Sequence, residues 1–289
     1  MSEAMNTSVV YDQNAAQAAY WNGPAGQRWI ERQETQDVVL APVSAVLFER
    51  ALVGEGSRVV DIGCGCGETT IALAKRVGPK GHVTGIDISA PMLARARERA
   101  GTGLPLNFVL ADATVHPFEP GRGDVVTSRF GVMFFAEPAV SFVNIRKALR
   151  PAGRLVFACW QEPRRNPWMM LPLQSVYKHV PRLPEVGPED PGPFSFARED
   201  RVRRILSDAG FSSIAMEPVD LMLDIAARRG LDAAVNGALS IGPVSRALDG
   251  QSPELIAAAT DSLRAALAPL EKANSVMLGA AIWIATASA

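Results

Sequence analysis

Residues 59–67 read VVDIGCGCG, and twenty residues after the last glycine a second apolar run, VTGID, closes on Asp87. A hydrophobic strand, a glycine-rich turn opening a helix, and a second strand ending on a carboxylate form the arrangement with which α/β proteins hold an adenosine-type ligand. The glycines let the main chain approach the ligand, and the carboxylate accepts hydrogen bonds from both ribose hydroxyls. The spacing Gly63, Gly65, Gly67 differs from the GxGxxG of dinucleotide loops, whose helix N-terminus serves a pyrophosphate. Asp61 sits two residues before the first glycine. A carboxylate there repels a diphosphate and attracts an ammonium group. The same glycines also suit a tight strand-to-helix turn with no ligand; Asp87 at its strand end tips the reading towards adenosine.

The elements around this stretch set the fold class. Arg58–Asp61 reads as a first strand, Glu68–Val77 as the helix that the glycine turn opens, and Gly78-Pro79 as its stop. His82–Asp87 is a second strand, and Ser89 caps a helix to about Ala100 with Pro91 in its first turn. Strands follow at Leu106–Ala111, Asp124–Ser128 and Arg154–Trp160, with a helix opening at Glu137-Pro138 and a turn over Arg150–Gly153. Strands alternating with helices predict an α/β, doubly wound, mostly parallel sheet. Upstream, a helix from about Gln36 to Val53 has apolar residues at three-to-four spacing, behind an aromatic segment with Tyr20, Trp21 and Trp29.

Between Gln161 and Phe196, eight prolines fall among Trp168, Met169, Met170 and Tyr177. No regular α/β unit holds that many, and the large apolar side chains predict a packed cap rather than a linker. Beyond it, Glu199–Ala209, Leu231–Leu239 and Glu254–Leu267 read as helices, Ile241–Pro253 as a Pro/Gly joint, and Phe211–Asp224 and Ser275–Thr286 as strands. The predicted organisation is an N-terminal helical lid segment over 1–57, an α/β core over 58–160, an inserted cap over 161–198 and completion of the sheet over 199–289.

Composition bounds the partners. Hydrophobic residues make up 48% of the 289, enough for a sizeable core. The formal net charge is −1, and no basic stripe supports a nucleic-acid partner. The opening residues are polar and the longest apolar run, near 276–287, is about a dozen residues, short for a bilayer. The expectation is a cytoplasmic protein without a membrane span, with a homodimer left open. Three cysteines do not make a disulfide framework. Cys64 and Cys66 lack a second Cys/His pair at ligand spacing, so they read as small loop fillers and no metal is expected.

The motifs VVDIGCGCG, GIDIS, LADAT and LRPAGRLVFACW, in this order and spacing, resemble those of the class I S-adenosylmethionine (SAM)-dependent methyltransferases. The chain looks closest to the small-molecule branch that includes ubiquinone/menaquinone-type and polyketide-tailoring enzymes. The resemblance runs over roughly residues 20–160. It implies a seven-stranded Rossmann-like sheet ending in an antiparallel hairpin strand, SAM as cofactor, and a small, partly apolar metabolite as acceptor. SAM has ribose, adenine and an ammonium group but no phosphate, in keeping with Asp61.

By this resemblance Gly63, Gly65 and Gly67 shape the turn around methionine and ribose, Asp61 orients the loop and the ammonium side, and Asp87 takes the ribose. Ile88 and Met92 cover one adenine face. Asp112 receives the exocyclic amine, with the Ala113 N–H on the ring; a surface Asp112 and a core Met92 are the plain alternatives. Arg129 and Phe130 end the fourth strand facing the sulfonium. Arg129 has the wrong charge for the magnesium site of catechol-type enzymes, and TSRFGVMFF lacks the Asn/Asp-Pro-Pro-Phe/Tyr of enzymes that methylate nucleic-acid bases. Trp29 closes over the donor or packs a helix. Tyr20, Trp21, Met133, Trp168 and Tyr177 are the acceptor-side candidates, while Phe134 and Phe135 read as core. Of the three histidines, His179 in the cap alone has a claim as general base. Oxygen, carbon and nitrogen acceptors are not separable. Two rival classes stand beside this reading: an NAD(P)-dependent oxidoreductase, and a non-catalytic SAM-binding regulatory protein that needs no acceptor pocket.

Overall fold

The structure is a computed structural model that describes residues 14–185, 187 and 189–289. The first thirteen residues of the 1–57 segment and two residues of the 161–198 segment lie outside that description.

The chain enters through helices α1 (14–22), α2 (Pro24–Glu31) and α3 (Gln33–Ala51). Strand β1 (Arg58–Ile62), helix α4 (Glu68–Val77), β2 (His82–Asp87), α5 (Ala90–Ala100) and β3 (Leu106–Leu110) follow the sequence reading closely. Their boundaries are set by local chemistry. Gly67 takes φ +82° ahead of α4, a conformation that glycine adopts without a Cβ penalty. The Ser89 hydroxyl accepts from the Met92 N–H to cap α5. Strand β4 (Gly123–Arg129), helix α6 (Pro138–Lys147) and β5 (Leu149–Trp160) complete the parallel part.

The sheet runs β3-β2-β1-β4-β5-β8-β6, where β6 is Ser212–Asp224 and β8 is Ser275–Ser288. Strand β8 is antiparallel to both neighbours; a two-residue β7 (Glu271–Lys272) pairs with it outside this path. The expected seven-stranded, doubly wound sheet is therefore present. Its order reverses between β1 and β4, and a crevice opens at the carboxyl ends of the strands at such a point. Val59, Ile62, Val83, Ile86, Val126 and Phe157 are buried between the sheet and its flanking helices.

Two local expectations change. Arg150–Gly153, read as a turn, lies inside β5: Gly123 pairs with Leu149 and Val125 already pairs with Arg154. The Pro-Ala-Gly excursion, with Ala152 at φ +60°, is a bulge that keeps pairing on both sides. The joint read over Ile241–Pro253 contains a short helix, α10 (Gly242–Leu248), started by Pro243.

The proline-rich segment contributes α7 (Pro167–Val176). This helix packs with α9 (Leu231–Ser240), α10 and α11 (Pro253–Leu267) around two small apolar clusters apart from the main core. One contains Ile225, Val235, Leu263 and Leu278; the other contains Leu173, Val176, Val244 and Ala259. The cover over the crevice thus draws on residues 231–267 as much as on 161–198. Helix α8 (Glu199–Asp208) packs against β6.

Candidate functional site

Two cavities meet above the β1–β4 switch point. The smaller, about 150 Å³, is lined by the β1 turn (Gly63, Cys64, Gly65), the β2 end (Asp87, Ile88), Met92 of α5, Asp112 and Ala113 after β3, and Arg129 and Phe130 of β4. The larger, about 360 Å³, is lined by Tyr20, Met133, Trp160, Trp168, Met169 and residues 237, 238 and 240–246. Trp21, Trp29, Phe130 and Phe134 line both. The cavities abut across that aromatic wall.

The smaller cavity owes its shape to glycine. Gly63 has φ +67°, and a Cβ on it would lie 2.6 Å from the Gly131 Cα. The turn and the β4 end therefore cross at backbone contact. A Cβ on Gly65 would come within 3.0 Å of the Met92 methyl, so Met92 closes the floor. Asp87 is held rigidly: one oxygen accepts from Gly65 N–H at 2.8 Å, the other from Ser89 N–H at 2.9 Å. Burial pushes its carboxyl above the usual range, opposed by these backbone bonds. Each oxygen keeps a lone pair for a ligand hydroxyl. Across the cavity, Asp112 accepts from Asn14 Nδ2 at 2.7 Å and from Thr114 N–H at 2.8 Å. A glycine turn, a fixed carboxylate and a second acid beside Ala113 fit a ribose and an adenine.

Asp61 has another place. It is fully buried, lies outside both cavity walls, and accepts from the Thr69 and Thr70 hydroxyls at 2.6 Å each. Its other oxygen has no partner among the described residues. Burial pushes its pKa up to about 6. Asp61 ties the glycine turn to the first turn of α4, and besides Asp87 and Asp112 the carboxylates that line the cavity are Asp37 and Glu68. Asp37 pairs with Arg99 at 2.6 Å, and Glu68 with Arg129 at 2.6 Å. The Arg129 guanidinium, read from sequence as facing the sulfonium, is thus spent on Glu68 and Ser44. Asp37 and Glu68 escape a strand-end reading because both belong to helices; the only signal is that Glu68 directly follows Gly67.

Phe130 sits at φ +67°, in the left-handed region, directly after β4. A bulky residue there carries strain that marks a constrained site. Its ring stacks on Trp160 at 4.0 Å, and Trp160 meets Trp168 at 4.9 Å. The N-terminal helices lie over the smaller cavity. Asn22 donates to the Ile88 carbonyl and accepts from the Ala90 N–H, and the Ser89 hydroxyl donates to the Trp21 carbonyl. Trp21 is edge-on to Trp29 and Phe134. Phe134, read as core, is part of the wall; Phe135 contributes to the smaller cavity.

Tyr20, Trp21, Met133 and Trp168 all line the larger cavity. Tyr177 and His179 line neither. The Tyr177 hydroxyl accepts from Leu183 N–H instead, and its ring carries Arg182 at 5.8 Å. Burial raises both loop thiols, Cys66 to about 12, so neither is a thiolate at neutral pH. Among the described residues no cluster of three His, Cys, Asp or Glu could hold a metal, and no helix is long and apolar enough to cross a membrane.

Residues 59–153 match a family described as a methyltransferase domain. The YcgJ protein of Bacillus subtilis shares the fold at 15% identity and TM-score 0.54, over 85% of this chain and 97% of that one. Phosphoethanolamine N-methyltransferase 2 of Haemonchus contortus, in complex with S-adenosyl-L-methionine, does so at 17% identity and TM-score 0.50, over 85% and 52%. The 59–153 region thus matches a methyltransferase domain and builds the Rossmann-like, parallel part of the sheet. In sequence it is similar to the demethylmenaquinone methyltransferase of Staphylococcus aureus, 38% identical over 104 residues, or 36% of this chain. The chain covers 43% of that relative's length.

Proposed function

We propose that the chain transfers a methyl group from SAM to a small, partly apolar acceptor, with SAM in the smaller cavity and the acceptor in the larger. The observation that carries this reading is the shared wall of Trp21, Trp29, Phe130 and Phe134 between a polar glycine-and-carboxylate cavity and an apolar one. When bound, SAM supplies a methyl on a positively charged sulfur, which an acceptor lone pair takes while the carbon–sulfur pair stays with sulfur, leaving S-adenosylhomocysteine.

Asp87 holds the ribose hydroxyls, and Asp112 with the Ala113 N–H holds the adenine edge. Ile88 and Met92 pack against the ring. Gly63 and Gly65 admit the ligand at backbone distance, and Asp61 fixes their turn from beneath. The aromatic wall excludes water and offers π faces to a cation, worth about 0.5–2 kcal/mol. Holding two reactants in attack geometry contributes roughly 7–11 kcal/mol, which a rigid cradle and a closed wall supply. The larger cavity, open between Phe130 and the α7–α11 cover, gives the reading an acceptor site that a non-catalytic SAM binder would not need. The cytoplasmic location and small-molecule partner expected from sequence go with this proposal.

The test is incubation with methyl-labelled SAM and a fractionated metabolite extract, followed by mass analysis. The expected result is label in a low-mass apolar fraction that disappears with Asp87→Ala. Label confined to protein or nucleic acid, or SAM bound without transfer to any fraction, would overturn it.

A further inference from the structure

The larger cavity has an asymmetry that its apolar walls conceal. Apart from the Tyr20 phenol, the ionisable residues among those lining it are Arg28 and Arg246; no carboxylate, lysine or histidine joins them. Arg28 is half-buried and Arg246 is exposed at the rim. Neither guanidinium has a carboxylate or hydrogen-bond partner among the described residues, whereas Arg32, Arg99 and Arg129 nearby are all engaged. The α9 C-terminus also reaches this cavity, and its partial negative charge would oppose an anion. Arg32 offsets it by donating to the Asn236 carbonyl and the Ser240 hydroxyl at 2.8 Å each. A third unmatched donor lies in the wall: the Trp168 indole N–H is buried without an acceptor among the described residues. Unsatisfied buried donors are costly. The cavity is therefore supplied with donors and positive charge and holds no base.

We infer that the acceptor is bound as an aromatic or otherwise apolar anion, oriented by Arg28 with Arg246 at the rim and by the Trp168 N–H. This rests on the acceptor site proposed above and deepens it to a substrate class. The charge sits either on an ionised reacting hydroxyl, a phenol or enol, or on a carboxylate beside it; both present the same chemistry to a guanidinium. For the first, the missing base has a physical account. Two nearby cations favour the ionised form of the acceptor, so the nucleophile forms by loss of its proton to solvent. Arg28 and Arg246 are then positioning residues.

The experiment uses the full chain loaded with S-adenosylhomocysteine, whose own binding is measured first by calorimetry. Quenching of tryptophan fluorescence then reports two matched pairs of probes at about pH 7.5, where the first member of each is ionised and the second neutral. The pairs are 2-naphthoate with 2-naphthamide, and pentafluorophenol with phenol. In at least one pair the anion binds about tenfold more tightly, the worth of a charge-assisted contact. Preference in the first pair alone places the charge on a substituent, and preference in the second places it on the reacting oxygen. Arg28→Gln removes most of the preference and leaves the neutral probe within about twofold, Arg246→Gln removes less because it is exposed, and Arg28→Lys restores part. Equal affinity within both pairs, a preference that survives both Gln substitutions, or no quenching by any probe up to about 1 mM would overturn the inference while S-adenosylhomocysteine still binds. Failure of S-adenosylhomocysteine itself to bind would instead remove the proposed function.

Discussion

The two cavities are built by opposite means. The smaller draws most of its lining from one continuous α/β stretch, from Ile62 at the β1 end to Phe135. Its key groups are fixed by backbone: Asp87 by two N–H donors, the glycine turn by direct contact with Gly131. The larger takes its lining from residues as far apart as Ala16 and Arg246, and side-chain packing in two satellite clusters holds its cover. Backbone contacts at a switch point leave little room for variation, whereas an apolar cover can be repacked without touching the sheet. A donor common to a whole class suits the first construction, and an acceptor that differs between enzymes suits the second.

The sharpest way to break this contrast is Asp61, which supports the smaller cavity from beneath. Its folded pKa, about 6, is raised from the ordinary 3.8. Protonated Asp61 is therefore favoured by the folded state: its contribution is full below about pH 4 and is lost as pH rises through about 6, amounting to ~3 kcal/mol. Urea unfolding of wild type and Asp61→Asn across this range reads the difference; the wild type loses stability relative to the variant as pH rises, and parallel profiles would show that burial does not perturb Asp61. Next comes Asp87→Ala, expected to weaken S-adenosylhomocysteine about 100-fold by removing charged hydrogen bonds to two hydroxyls. With S-adenosylhomocysteine raised to saturation, its 2-naphthoate binding should barely move.

Gly63→Ala tests the crossing of turn and strand end. A Cβ 2.6 Å from Gly131 Cα at positive φ should cost about 2 kcal/mol of stability and displace the donor turn. On the other side of the wall, Trp168→Ala should alter acceptor preference by about tenfold with S-adenosylhomocysteine affinity unchanged; equal losses of both would dissolve the division between the sites. The smallest effect is expected for His179→Ala, because the imidazole lines neither cavity. A turnover drop with a lost acidic limb in the pH profile would restore it as a base.

The same contrast explains what could be read from sequence. Strand β1, the glycine turn, Asp87 and the Ser89 cap follow one another within thirty-two residues, Arg58 to Ser89, and each has a local physical reason, so motif and element coincide. Asp61 belongs to the same motif, yet its side chain points beneath the turn to Thr69 and Thr70. Spacing along a chain gives proximity to a ligand and not the side on which a carboxylate lies. Arg129 does line the smaller cavity, but its pairing is not legible for a related reason: its partner Glu68 is sixty-one residues away, and only the closed sheet brings them together. For the cover, the prolines around Trp168 announced packing, but nothing local linked α7 to α9, α10 and α11. Tyr177 and Trp168 lie nine residues apart in one segment, and tertiary packing alone decides that one lines the cavity and the other does not.

Calorimetric titration of the chain with S-adenosylhomocysteine and, separately, with NAD bears most directly on the donor cavity. Uptake of S-adenosylhomocysteine at one site, weakened about 100-fold by Asp87→Ala, with no heat from NAD, is the predicted result. Tight binding of NAD with indifference to S-adenosylhomocysteine would contradict it.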